Sequence, residues 1–499
     1  MSLIQVQNLS FSYDGSLTPV FDSLSLQIDS SWKLGLIGRN GRGKTTLLRL
    51  LLGELDHTGQ ISARVPFDYF PFEIQDPGRL TREIIMEQSP EAAQWQFERE
   101  LNLLAVDLSV LEQPFNQLSN GEQTKILLAC LFLRDNHYLL IDEPTNHLDQ
   151  LAREKVSAYL ARKSGFIVVS HDRAFLDGCI DHVLSINRTS IELQAGNFSS
   201  WWENRQRLEK AEQTANERLQ QDIDRLSTAA RRTSHWSDKL EQTKYGGRPD
   251  NSMVDRGYIG HKAAKMMKQA KVIEARQQKA IEEKSRLLQD VENQFPLKIH
   301  PLQHHARHLV QLDGVSIQYG SRTICQDIQF LINPGDRVAL AGPNGSGKSS
   351  LLKLILGEDI SYTGTLLRAS QLKLSYVPQD ASGLTGGLRP FLQERGIDES
   401  LCKAILNKLD FTKEQFDKPL DSYSAGQKKK VLLATSLCEQ AHLYIWDEPL
   451  NYIDILSRIQ IEDLILTFKP TILFVEHDRQ FCDHLATKTI ALRSSICTP

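Results

Sequence analysis

The chain has little that would tie it to an oxidising compartment, a structural metal or a membrane. Its seven cysteines, at 130, 179, 325, 402, 438, 482 and 497, form no CxxC pair and no metal-ligand spacing. They read as reduced thiols of a cytoplasmic protein. No apolar run approaches the ~20 residues that a membrane span needs, which excludes a channel. The opening stretch MSLIQVQNLSFSYDG lacks the pattern of a secretory leader. A surplus of positive charge is missing as well: the formal net charge is -4, so any nucleic-acid role requires a local patch. What remains is an ordinary globular composition on 499 residues, too long for one core and sufficient for two or three domains.

The chain does contain a repeat. GRNGRGKTT (Gly38 to Thr46) returns as GPNGSGKSS (Gly342 to Ser350), and LSNGEQTK (Leu118 to Lys125) as YSAGQKKK (Tyr423 to Lys430). YLLIDEPTNHLD (Tyr138 to Asp149) returns as LYIWDEPLNYID (Leu443 to Asp454), and VVSHD (Val168 to Asp172) as FVEHD (Phe474 to Asp478). Spacing is kept too. Lys44 to Asp142 is 98 residues and Lys348 to Asp447 is 99, while Ser119 to Asp142 and Ser424 to Asp447 are both 23. Short β-rich runs alternate with helical stretches in each half, which predicts α/β domains with largely parallel sheets.

Each motif carries a chemistry. GxxxxGK[ST] between an apolar strand and a helix aims backbone amides and a helix N-terminus at phosphates. Gly38, Asn40, Gly41, Gly43, Lys44, Thr45 and Thr46 form one such cradle, and Gly342, Asn344, Gly345, Gly347, Lys348, Ser349 and Ser350 the other. Lys44 and Lys348 are expected to reach the β- and γ-phosphates of ATP, with Thr45 and Ser349 on Mg²⁺. Asp142 and Asp447, closing apolar strands, are expected to hold Mg²⁺, and the adjacent Glu143 and Glu448 to act as general bases toward water. His171 and His477 close another strand, placed for the γ-phosphate. Ser170-His171-Asp172 is not a hydrolase triad, because neighbours on a strand point to opposite faces. Tyr13 and Tyr319, about 30 residues before each loop, are candidates to stack on adenine.

The serine-glycine segments, the DEP runs and the late histidines resemble the ABC ATPase family over nearly all of both halves. The resemblance implies composite sites. Site one would join Gly38–Thr45, Asp142, Glu143 and His171 to Ser424 and Gly426. Site two would join Gly342–Ser349, Asp447, Glu448 and His477 to Ser119 and Gly121. Leu148-Asp149 and Ile453-Asp454 match the segments that cross between sites. The family's glutamine on Mg²⁺ and nucleotide is matched by Gln379 in SYVPQD. YFPFEI places Phe72 there in the first half, leaving Gln75 or a less direct contact with Mg²⁺. The second half departs in EPLNYID and in Tyr423 before its serine. Both sites are expected to bind and hydrolyse ATP.

Residues 198–305 fit neither half, and the division predicted is 1–197, 198–305 and 306–499. Leu208, Ala211, Ala215, Leu219, Ile223, Leu226 and Ala230 form a narrow helical seam. Ala270, Ile273, Ala280, Leu287 and Val291 form a broken second one, with a turn-rich tip near 244–260 between them. This predicts a hairpin whose first helix spans about Glu203 to Trp236, roughly 50 Å at ~1.5 Å per residue. From Arg231 to Lys279 there are twelve Lys/Arg against five Asp/Glu, a basic arm suited to RNA phosphates. Lys244, Tyr245, Arg248, Met253, Val254, Arg256, Tyr258, Lys262, Lys265 and Lys268 are its candidate RNA contacts. His300 to His308 reads as a solvated connector and Trp201-Trp202 as a packing foot.

Two fused domains, EPTNHLD and this linker resemble the ABC-F class. The tip KYGGRPDNSMVDRGYIG and WDEPLNY, with only 74 and 75 residues from phosphate loop to signature, look most like the Lsa-type resistance proteins. That resemblance implies a cytoplasmic monomer whose ABC domains pair within the chain, with no membrane partner. Its partner would be the bacterial ribosome, at the large-subunit rRNA and the tRNA in the peptidyl site. The effect would be protection from lincosamides, pleuromutilins and streptogramin A. An ABC-F translation factor without drug linkage and the fused ATPase subunit of an importer are the alternatives.

Overall fold

The computed structural model describes residues 2–14, 19–134, 136–146, 148–187, 191–245, 301–320, 322–343, 345–409 and 411–492. The chain divides into two compact units, Met1–Trp201 with Pro296–Pro499, and Trp202–Phe295. The first unit holds both repeats. In the N-terminal half, β1 (Leu3–Phe11) pairs antiparallel with β2 (Phe21–Asp29) and β4 (Thr58–Ser62). A second sheet runs in the order β5-β6-β7-β3-β8-β9, with β3 at Lys33–Gly38, β5 at Phe67–Phe70, β6 at Tyr138–Asp142, β7 at Phe166–Val169, β8 at His182–Ile186 and β9 at Ile191–Ala195. Its pairs are parallel except β8 with β9.

The C-terminal half repeats this plan. β10 (Val310–Tyr319) lies between β11 (Arg322–Ile332) and β13 (Tyr362–Arg368). The parallel sheet runs β14-β15-β16-β12-β17, from β12 (Arg337–Ala341), β14 (Leu374–Val377), β15 (Leu443–Asp447), β16 (Ile472–Val475) and β17 (Lys488–Ala491). Tyr138–Ile141, Phe166–Val169 and Leu443–Asp447 are buried throughout, as strands covered on both faces must be. That is why these segments show continuous apolar runs instead of alternation.

Register does the positioning. Asp142 is paired with Val169, and Val169 with Leu36. The carboxylate after β6, the histidine after β7 and the glycine loop after β3 therefore emerge side by side at the carboxyl edge of one sheet. Asp447, Val475 and Leu340 repeat the arrangement.

The two halves meet within this unit through ion pairs. Arg173 hydrogen-bonds Glu462 through both terminal nitrogens, one at 3.2 Å, and lies 3.9 Å from Asp478. Arg173 and Glu462 are each 6% exposed as side chains, whereas the second cross-half pair, Arg479–Glu154 at 3.2 Å, is 59% and 49% exposed.

The second unit contributes most of a single described helix. Phe198–Tyr245 is 48 residues long, starting earlier and reaching further than the apolar seam alone predicts. Asn197 explains the start: its side chain accepts the amide of Ser200 at 3.0 Å, as an N-cap does. Phe198 and Trp201 are buried against each other, the packing foot expected for Trp201. Connector residues 301–308 dock on the second half. Leu302 donates to the Ala441 carbonyl at 3.0 Å, and His304 stacks on His305 and meets His442 edge-on. Among the described residues no helix is long and apolar enough to cross a membrane.

Removing one partner of a buried ion pair leaves a charge without compensation. Arg173→Ala is expected to lower the unfolding free energy of the chain by about 3 kcal/mol. Arg479→Ala is expected to leave it nearly unchanged, since exposed pairs contribute little. Urea denaturation of the two variants beside the parent chain checks the contrast.

Candidate functional site

The helices Lys44–Leu52 and Lys348–Leu356 each begin at a glycine in left-handed backbone, Gly43 at φ 91° and Gly347 at φ 88°. A Cβ on Gly347 would meet Ile324 at 2.8 Å, and one on Gly43 would meet Val20 at 2.6 Å and Phe21 at 2.9 Å. Both conformation and space therefore demand glycine. Lys44 Nζ donates to the carbonyls of Gly38 and Arg39 at 2.8 and 3.2 Å, and Lys348 Nζ to those of Gly342 and Pro343 at 2.8 and 2.9 Å. Each ammonium sits over its own loop, and burial holds both pKa values down.

Thr45 Oγ1 donates to Asp142 Oδ2 at 2.8 Å, and Ser349 hydrogen-bonds Asp447. Asp447 Oδ1 is buried without a hydrogen-bond partner among the described residues. A hydroxyl and carboxylate oxygens on one cradle fit the hard oxygen ligands of Mg²⁺. Tyr69, which motif reading missed, donates its hydroxyl to Asp142 Oδ2 at 3.1 Å.

Glu143 and Glu448 share a strained backbone, with φ 50° and 46°, uncommon for a side-chain-bearing residue and frequent where function demands it. The strain is held because their amides donate to Val169 O and Val475 O at 2.9 and 3.0 Å. The two carboxylates differ in company. Glu448 Oε2 accepts from Gln379 Nε2 at 2.9 Å and Asn451 Nδ2 at 2.7 Å, with His477 Nε2 3.5 Å from Oε1. Burial alone would raise Glu448, but the hydrogen bonds and charge of His477, then Gln379 and Asn451, bring it down to about 2. Glu143 has His171 Nε2 at 3.1 Å. Burial, then the neighbouring Asp142, push it up to about 8. Phe72, in the place of Gln379, lies under the Arg134 guanidinium at 6.0 Å. Gln75 is exposed.

The signature segments are capping boxes. Ser119 Oγ accepts from Glu122 N while Glu122 Oε2 accepts from Ser119 N, and Ser424 and Gln427 do the same. Each helix N-terminus faces the other half. A Cβ on Gly426 would lie 3.2 Å from Asn40 Nδ2, and Asn40 Nδ2 donates to Tyr452 O at 2.7 Å. Ser119, Gly121 and Asp149 share the lining of one cavity of about 1460 Å³ with Gly345, Gly347, Lys348, Ser349, Ser350, Gln379, Glu448 and His477. Tyr13 and Tyr319 stand half-exposed beside the loops, their hydroxyls 2.9 Å from Thr46 Oγ1 and 3.4 Å from Ser350 Oγ. Lys244 and Tyr245 end the described helix. Asn344, Arg248, Met253, Val254, Arg256, Tyr258, Lys262, Lys265 and Lys268 lie outside the described residues.

A family profile described as "ABC transporter" matches twice, over residues 21–146 and 325–451. The chain belongs to the ABC transporter family. Both ABC domains carry the loops, carboxylates and signature segments just described. Among curated proteins the chain is similar to ATP-binding protein Uup of Caulobacter vibrioides, 29% identical over 95% of this chain and 75% of that protein. It is also similar to ribosome protection protein VmlR of Bacillus subtilis, 28% identical over 97% of this chain and 86% of that protein. The crystal structure of an archaeal ribosome recycling factor, aABCE1, with the stalk protein aP1 shares the tandem fold. There the TM-score is 0.64 at 18% identity, covering 97% of this chain and 87% of that one.

The loop glycines of the ABC domains make unequal demands. Gly345→Ala meets open space and carries only the backbone cost of φ 77°, about 1 kcal/mol. Gly347→Ala adds the collision with Ile324 and is expected to cost a further 1–3 kcal/mol or so. Thermal denaturation of the two variants ranks them.

Proposed function

We propose that the chain is a cytoplasmic ABC-F ATPase that binds the bacterial ribosome in its ATP-bound form and protects it from antibiotics. One observation carries the ATPase reading: each phosphate loop faces the serine-glycine helix end of the opposite half. Lys44 with Gly38–Thr46 and Tyr13 holds one nucleotide against Ser424 and Gly426. Lys348 with Gly342–Ser350 and Tyr319 holds the other against Ser119 and Gly121. Thr45 with Asp142, and Ser349 with Asp447 and Gln379, hold Mg²⁺, which when bound neutralises charge on the phosphate oxygens. Glu143 and Glu448 take a proton from the attacking water while His171 and His477 orient at the γ-phosphate. Hydrolysis removes the group that joins the halves and releases them.

Similarity along nearly the whole chain to a protein named for ribosome protection supports the ribosomal reading. So does the excess of twelve Lys/Arg over five Asp/Glu between Arg231 and Lys279, in a chain whose net charge is -4. Such a segment suits phosphate-rich RNA, whereas docking to a membrane permease gives it no task. In this reading 198–305 forms the arm between ABC domains 1–197 and 306–499. Lys244, Tyr245, Arg248, Met253, Val254, Arg256, Tyr258, Lys262, Lys265 and Lys268 face rRNA and the tRNA of the peptidyl site. The drugs countered are lincosamides, pleuromutilins and streptogramin A.

Gln379, Asn451 and His477 hold the Glu448 carboxylate, whereas Glu143 has His171 beside it, so Glu448 is the more firmly positioned of the two. Glu448→Gln is expected to remove most of the ATP turnover and Glu143→Gln a smaller share, measured as phosphate release at saturating ATP. The double variant is expected to co-sediment with ribosomes in ATP and to leave them as salt rises. Absence from the ribosomal pellet at low salt counts against ribosome binding. Expression of the parent chain in a drug-sensitive bacterium is expected to raise inhibitory concentrations of those three drug classes. Unchanged concentrations alongside ribosome binding mark a translation factor without drug linkage.

A further inference from the structure

The two ABC domains depart from their own symmetry in the wall behind the second site. In the helix Ala425–Cys438, the fifth residue after Ser424 is Lys429, 1% exposed. Its ammonium donates to the carbonyls of Pro378 at 2.7 Å and Gln379 at 2.9 Å, with Asp447 O at 3.4 Å. An ammonium has three donors and no acceptor, and here each donor meets a carbonyl. Two segments far apart in sequence, the loop after β14 and the end of β15, are thereby tied to one helix. Both bear on Glu448: Gln379 Nε2 donates to its carboxylate at 2.9 Å, and Asp447 precedes it.

The N-terminus of that helix lies in the opposite site. Ser424 caps it, and Gly426 approaches Asn40 of the first phosphate loop. One rigid helix thus touches the first nucleotide site at its N-terminus and grips the frame of the second through Lys429. In the first half the matching residue is Thr124, whose hydroxyl donates to Asn120 O of its own helix at 2.9 Å. Gln379 is matched there by Phe72.

We propose that Lys429 is a positioning residue that transmits the seating of the Ser424 helix at the first site to Gln379 and Glu448 at the second. With Thr124 and Phe72 in the matching places, the first half lacks the reverse link. This rests on the reading of both sites as ATP-hydrolysing. It makes turnover at the second site conditional on occupancy of the first, with weaker dependence in the other direction.

The test uses the full chain in two backgrounds, Glu143→Gln, where the second site turns over, and Glu448→Gln, where the first does. In the Glu143→Gln background, Lys429→Met is expected to lower kcat about ten-fold or more, since small displacements of a reacting group cost that much. KM for ATP is expected to stay within about threefold, because the contact serves the transition state and not ground-state binding. In the Glu448→Gln background Lys429→Met is expected to leave turnover within about twofold. Ser424→Ala is expected to slow the second site in the Glu143→Gln background and to have little further effect once Lys429 is Met, the signature of coupled residues. Should Lys429→Met fail to fold, Lys429→Gln is measured in the same way and is expected to show the same split. Equal losses in both backgrounds, or no loss in the first, overturn the proposal. If the Glu143→Gln, Glu448→Gln double variant hydrolyses ATP at the parent rate, the assignment of the two bases fails, and if the parent chain releases no phosphate from ATP the ATPase reading fails, each a distinguishable result.

Discussion

A helix N-terminus leaves amide groups with no partner in their own helix and carries partial positive charge. In this chain the helices that follow Ser119 and Ser424 point those ends at the phosphate loops of opposite halves. In the proposed function neither loop is complete alone, since the opposite helix end supplies the second donor surface for a triphosphate. The geometry of the molecule follows from that need. Parallel strands bring loop, carboxylate and histidine to one sheet edge, and the two sheet edges are set facing.

Behind the buried Arg173–Glu462 pair that joins the halves, ions within each half hold the segments that lead to it. Arg153 donates to Leu148 O and Asp172, and Arg458 to Ile453 O, Leu450 O and Asp478. Asp172 and Asp478 cap the helices that follow the two histidines. Each arginine therefore ties the segment leading to the opposite site to the segment carrying its own histidine. Lys430 adds a hydrogen bond to Asp454 at 2.9 Å, in a pair at most 6% exposed. Buried ions left unpaired are costly, so these contacts change together or not at all. Such an arrangement suits a molecule with two discrete states better than one with graded deformation.

Much of this was legible in the sequence because the repeat keeps both letters and distance. Lys44, Asp142, Glu143, His171 and their partners in the second half are all found by motif, and all emerge at the sheet edges. Other residues were hidden for physical reasons. Tyr69 reads as an ordinary strand aromatic, and only the register of β5 against β6 brings its hydroxyl to Asp142. Asn40 reads as a loop residue facing phosphate, yet its amide crosses to Tyr452 of the other half. Arg173 and Glu462 belong to no motif, and their pairing depends on how the halves meet. Lys429 lies in a run of three lysines that reads as a solvated helix face, and burial sets it apart. The seam of apolar residues marks only where the helix packs and so predicts a shorter helix than Phe198–Tyr245, while Asn197 marks where it begins.

The central claim is that each nucleotide is shared between a loop of one half and a signature segment of the other. Vanadate in place of the γ-phosphate, with Mg-nucleotide and ultraviolet light, cleaves backbone next to where it sits, and the fragments report which segments touch it. The account predicts cuts in Gly38–Thr45 and Gly342–Ser349 accompanied by cuts near Ser424 and Ser119, within single chains. Cuts confined to the two glycine loops, with the signature segments intact, would contradict it.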